Sequence, residues 1–168
     1  MMYPLKPLSK DAIPAALAKA ERYRLLNEPE QAESICEDIL AADPANREAV
    51  VILLLALTDR FPHSDGHLVS RAQELAAHLL TPYERAYFGG LVAERRGRAL
   101  LERGGPGRAF TAGDWLREAM ELYELAESHR PQGNDEARLR WNACARLLNA
   151  HPELAAMEHE RAVPLMLE

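Results

Sequence analysis

The sequence predicts an all-α protein, and three observations carry that expectation. Alanine, leucine, glutamate and arginine, all strong helix formers, dominate the composition. β-Branched residues are sparse apart from one short run, so few segments favour a strand. Apolar residues recur at helical spacing through segments punctuated by proline, glycine and asparagine. At 168 residues the chain is about one domain long and can bury a core without covalent staples.

The first helix is expected over residues 11–26, with Pro14 in its first turn, where a missing N–H does no harm. Asn27-Glu28-Pro29 turns the chain into a second helix, which Asp43-Pro44 stops after about Ala42. Asn46 is the N-cap of a third helix running to about Arg60. Residues 61–66 read as a polar loop before a fourth helix over residues 67–80. Thr81 caps a fifth, Pro82 opens it, and Gly104-Gly105-Pro106-Gly107 ends it after Arg103. A sixth is expected over residues 114–129, stopped by Pro131, and a seventh from the cap Asn134 to about Asn149. The organisation is then an N-terminal extension over residues 1–10, a helical domain over 11–150, and a tail over 151–168 with a short helix. The apolar end of that tail, residues 163–168, is held only if it docks somewhere.

Charge and cysteine content narrow the class. A formal net charge of −6 argues against nucleic acid as partner, since phosphate binding needs a basic surface. The charge is divided along the chain: residues 21–48 hold eight acids against three arginines, and residues 83–108 hold six arginines against three glutamates. Such a polarity can orient an encounter with a charged partner. Cys36 and Cys144 are too few for a disulfide framework and lack metal spacing, so both are expected as reduced, buried thiols. Met1-Met2-Tyr3-Pro4 lacks the pattern of a signal peptide. The longest apolar run, residues 49–57, is nine residues long, half of what a membrane span needs. A soluble, cytoplasmic protein is the expectation.

Self-similarity is the most informative feature. Ala32, Cys36, Ile39 and Pro44 recur, at identical intervals, as Ala119, Tyr123, Ala126 and Pro131. In each set the first three residues share one helix stripe, and the small leading residue lets two antiparallel helices approach. This resembles the second half of a tetratricopeptide repeat, with Ala20 and Tyr23 at the small and aromatic positions of the first half. In the next repeat Leu54 and Leu57 take those positions, and in the third Gly90 takes the small one. Residues 60–66 and the glycine-rich stretch before Asp114 then look like lengthened loops, and Trp141 replaces the small residue in a capping helix. The resemblance, over about residues 13–148, implies a right-handed α–α superhelix of about seven helices: three repeats and a cap.

The family binds partners in the concave groove lined by the first helices of its repeats. Carried over, this implies groove positions at Leu17, Glu21 and Arg24; at Val51, Leu55 and Thr58; at Tyr87, Leu91, Glu94 and Arg95; and at Arg138, Asn142 and Arg146. Its first part is apolar and its last part basic. The run from Ala49 to Leu57 is apolar all round and so must be covered on every side. A central helix buried by its neighbours, the chain's own ends, or a partner's apolar segment could each supply the cover. Leu17, Glu21 and Ile52 depart from the carboxylate clamp of chaperone-binding members; Arg138 and Asn142 fit its first positions without a following repeat. The arginines could take an acidic end of a ligand, or form a solvated face with local ion pairs such as Glu94–Arg98.

Other constellations are weak. His63 and His67, with Asp65 between them, lack a third metal ligand nearby. The glycine-rich turn lacks the lysine–serine pair of a phosphate loop. Trp115 and Trp141 read as packing anchors. No catalytic constellation, cofactor or metal is implied. The expected function is a protein-interaction adaptor or chaperone-like module that takes a peptide or helix with an apolar segment and an acidic end. The alternative is a self-associating scaffold subunit; an enzyme or an RNA binder is the least supported class.

Overall fold

The structure is a computed structural model that describes residues 3–64 and 66–155, and among them every regular element is a helix. The α-helices are α1 (Ile13–Leu25), α2 (Pro29–Ala42), α3 (Arg47–Asp59), α4 (His67–Ala77), α5 (Pro82–Arg103), α6 (Arg108–Ser128), α7 (Glu136–Ala150) and α8 (Pro152–Ala155). Short 3-10 turns occupy Lys10–Ala12 and Phe61–His63. The chain divides into two compact units, one ending at Leu75 and the other beginning at Ala76.

In the first unit α1 packs on α2, α2 packs on α3, and α1 also touches α3. The first and third helices of the unit therefore lie side by side. The α1–α2 turn is a Schellman closure: Asn27 takes a left-handed φ of 60°. The Glu28 N–H donates to the Tyr23 carbonyl at 2.9 Å and the Asn27 N–H to the Arg24 carbonyl at 3.0 Å. Asn46 caps α3 as its sequence position predicts, accepting from the Ala49 N–H at 3.0 Å. Ala20, Ala32, Cys36 and Ile39 are all fully buried, so the small and apolar positions of α1 and α2 face the interior.

The apolar run of α3 is mostly covered. Ala49, Ile52, Leu53, Leu54, Ala56 and Leu57 are buried, while Val50, Val51 and Leu55 remain half-buried. Tyr3 and Leu5 of the N-terminal extension do not supply their cover, standing 81% and 90% exposed. The far tail lies outside the described residues.

Residues 61–66 differ from the polar loop that their composition suggests. Phe61 is fully buried, so the segment contributes to the core. Arginines that follow α3 engage the acids of α2: Arg60 bonds Glu30 at 3.2 Å and also Glu33, and Arg71 bonds Glu37 at 2.7 Å and also Glu33. The acidic surplus of residues 21–48 is thereby matched in part from within the same unit.

The second unit opens with a capping box. The Glu84 N–H donates to Thr81 Oγ1 at 3.1 Å, and the Thr81 N–H to the Glu84 carboxylate at 3.4 Å. Helices α5 and α6 then form a long antiparallel pair held close by missing side chains. A Cβ on Gly90 would sit 2.8 Å from the Tyr123 ring, and one on Gly97 would sit 2.9 Å from Leu116. Seven residues forward along α5 correspond to seven back along α6, which an antiparallel pairing requires. Ala119, Tyr123 and Ala126 are fully buried, as are their counterparts in α2.

Helix α6 begins at Arg108, six residues before the sequence-based expectation. Gly113 falls in the stretch before Asp114 that was expected as a loop. It lies instead inside the helix, where the Leu154 carbonyl would stand 3.1 Å from any added Cβ. Its small size admits α8, and Leu154 is fully buried as a result. The lengthening expected as a loop is therefore carried by α5 and α6 themselves. Helix α7 packs on α6, and Asn134 accepts from the Glu136 N–H at 3.0 Å.

Candidate functional site

Each unit presents a face made by its first and third helices. In the first, α1 carries Leu17, Glu21 and Arg24, and α3 carries Val51 and Leu55. Leu17 is buried and Glu21 is exposed. The Arg24 Nε lies 2.8 Å from Asp59 of α3, and its Nη1 lies 3.8 Å from Glu21. Arg24 thus ties α1 to α3, and Val51 and Leu55 are the apolar positions that remain partly open.

In the second unit α5 carries Tyr87, Leu91 and Arg95, and α7 carries Arg138, Asn142 and Arg146. Leu91 is buried; Tyr87, Arg95 and Asn142 are half-buried, and Arg138 and Arg146 are exposed. Tyr87 stacks on Tyr83, one helical turn earlier, with ring centroids 5.7 Å apart and planes 14° apart. The Tyr83 hydroxyl reaches Asn134 Oδ1 before α7 at 3.3 Å. Arg138 is engaged locally, donating through Nε to Glu127 at 2.9 Å and lying 3.5 Å from Asp135. That engagement favours the local ion-pair reading for this arginine.

Beneath this face lies a polar network that sequence reasoning missed. Glu94 has no exposed surface. It accepts from Arg98 Nε at 2.8 Å and from the Tyr123 hydroxyl at 2.7 Å, and Arg140 of α7 lies 3.5 Å away. Arg140 is also hydrogen-bonded to Tyr87. Burial and the Glu94 charge push the Tyr123 hydroxyl well above the usual tyrosine range, so it stays a donor. Glu94 was expected as a groove position or in a solvated pair with Arg98; the pair exists, but its acid end is interior, so Glu94 does not line a groove. The available signal was spacing: Gly90, Glu94 and Gly97 share a helix stripe with Ala86, and that stripe faces α6. Arg140 had no comparable signal.

Two clefts lie in the first unit away from these positions. One, of about 490 Å³, runs beside α1 along Lys19, Arg22, Tyr23 and Leu26, with the Lys19 ammonium 5.8 Å from the Tyr23 ring. A smaller one, of about 240 Å³, is lined by Glu30, Asp59, His63 and Ser64. His63 and His67 are exposed, and Asp65 lies outside the described residues. Trp115 and Trp141 are half-buried against the second unit's core, with Trp141 Nε1 donating to Glu124 at 3.0 Å.

Chemically, the α5–α7 face offers an aromatic stack beside guanidinium groups on a fixed support. Tyrosine and arginine are the side chains that most often dominate protein-binding surfaces. Among the described residues, no helix is long and apolar enough to cross a membrane. No family model matches the chain, and neither curated proteins nor solved structures give a match.

Proposed function

We propose that the chain is a protein-interaction adaptor of tetratricopeptide type, which binds a partner's peptide or helix against the faces made by first and third helices. The stacked Tyr83–Tyr87 pair, beside Arg140 and braced by the buried Glu94, is the observation that carries the reading. An aromatic pair held in one geometry loses little entropy when a ligand lands on it. The half-open Val51 and Leu55 of α3 supply a second, apolar contact, suited to a ligand's apolar segment. The reading supposes the repeat solenoid that the Ala32 and Ala119 series imply; the full burial of the three helical members of each series supports it.

The test compares the intact chain with a Leu55→Asp, Tyr87→Ala double variant as bait in co-purification, with far-UV circular dichroism as the folding control. Retained helicity with loss of the captured partner is the expected result. Equal recovery by both baits refutes the proposal.

A further inference from the structure

Helix α1 buries Ile13, Leu17 and Ala20 and turns the opposite stripe outward. That stripe carries Lys19, Arg22, Tyr23 and Leu26, at positions i, i+3, i+4 and i+7, and lines the cleft of about 490 Å³. Lys19 and Arg22 are exposed, and Leu26 is 62% exposed. No acid stands three or four residues from either cation, and among the described residues neither has a carboxylate partner. Arg24, on the inner side of the same helix, is by contrast tied to Asp59.

Helix α6 carries the same spacing with the charge inverted. Leu116, Ala119 and Tyr123 are fully buried, while Glu118, Glu121, Leu122 and Leu125 stand at i, i+3, i+4 and i+7 on an outer flank. Both glutamates are exposed, Leu125 is 50% exposed, and among the described residues neither glutamate has a cation partner. Partial desolvation, and then the Glu121 charge, hold the Glu118 carboxyl above the usual carboxylate range.

The two stripes match in register over seven residues, about 10.5 Å of helix. On helices running the same way, Lys19 and Arg22 face Glu118 and Glu121, Tyr23 faces Leu122, and Leu26 faces Leu125. Run the opposite way, each terminal leucine would meet a charge. A second copy of the chain therefore supplies both the opposite charges and the apolar side chains that the α1 stripe lacks.

We propose that copies of this chain associate head to tail, the α1 stripe of Lys19, Arg22, Tyr23 and Leu26 in one seated on the α6 stripe of Glu118, Glu121, Leu122 and Leu125 in the next. The contact lies outside the faces assigned to the adaptor and does not rest on that reading. It is heterologous, so each pair keeps one free stripe of either sign and growth continues beyond a dimer. One helix pair buries less than the roughly 1,200 Å² of a stable interface, so the association is weak.

Sedimentation velocity of the full chain tests it, from about 10 μM to about 1 mM, the range of a weak contact. At about 0.1 M sodium chloride the net charge of −6 is screened beyond about 10 Å while contact pairs survive; about 1 M weakens those too. Size should rise with concentration at the lower salt and less at the higher. Lys19→Glu with Arg22→Glu, and Glu118→Lys with Glu121→Lys, should each weaken association at least about tenfold, because like charges then face one another. Far-UV circular dichroism checks that both variants keep their helices. An equimolar mixture of the two restores opposite charges at every contact and should recover association to within about threefold of native, as should a chain carrying all four exchanges. A native chain of constant size over the range, equal association at both salts, a double variant that associates like the native chain, or a mixture no better than its components would each overturn the proposal.

Discussion

Glu94 has no exposed surface, yet three donors from two other helices and its own converge on it. Breaking a buried pair by removing one partner costs roughly 3–5 kcal/mol; here Arg98 and Arg140 both reach solvent, so about 2 kcal/mol is expected for Glu94→Gln. Urea unfolding measures it, and a loss under about 0.5 kcal/mol, the usual scale of surface changes, would show that the network is not a brace. Tyr87 should also lose its fixed orientation, because Arg140 bonds both Tyr87 and Glu94. At this scale the sequence was only partly legible. Ala32, Cys36, Tyr123 and Ala126 were readable as interior because apolar and small residues at helical spacing mean burial. Glu94 was not read as interior, since an acid four residues before an arginine is ordinarily a surface pair.

At the scale of the helix, adjacent glycines in α5 make opposite predictions. Alanine gains about 1 kcal/mol over glycine in a helix interior through backbone entropy. At Gly89 the added methyl would meet Leu122 at 3.6 Å, an ordinary contact, so Gly89→Ala should stabilise by about 0.5–1 kcal/mol. At Gly90 the methyl meets the Tyr123 ring at 2.8 Å, and that ring cannot swing aside, being fully buried with its hydroxyl tied to Glu94. Overpacking of about 1–3 kcal/mol then outweighs the entropy gain, and Gly90→Ala should destabilise. A pair of thermal melts decides both signs; stabilisation by both substitutions would mean that the helices are not in close contact there. Helix starts were legible where a side-chain cap or an opening proline fixed them, at Asn46, Thr81-Pro82 and Pro29, while α7 starts after Asp135 and not at the expected cap Asn134. The start of α6 was not, because a glycine that admits a neighbouring helix looks in sequence like one that ends its own.

For the whole chain, each compact unit contains one buried thiol, Cys36 in the first and Cys144 in the second. Burial, followed by nearby glutamates, pushes both thiols up to about 12, well above the usual cysteine range. A folded-state value raised in this way means that the native chain holds its protons longer than the unfolded one. Stability is therefore complete below about pH 9 and falls as pH rises toward 12, and replacing both cysteines with alanine should flatten that decline. Alkylation followed by peptide mass spectrometry should find both thiols inert in the native chain, and Glu94→Gln should accelerate labelling at Cys144 more than at Cys36. Uniform acceleration would show that the units open together. The all-helical class and the repeat intervals were readable in composition and periodicity; the division at Leu75 was not, because it depends on which helices meet. Phe61 carries one further consequence. A connection whose aromatic ring fills the interior is more than a spacer, so a deletion between α3 and α4 that took the ring with it would open a cavity.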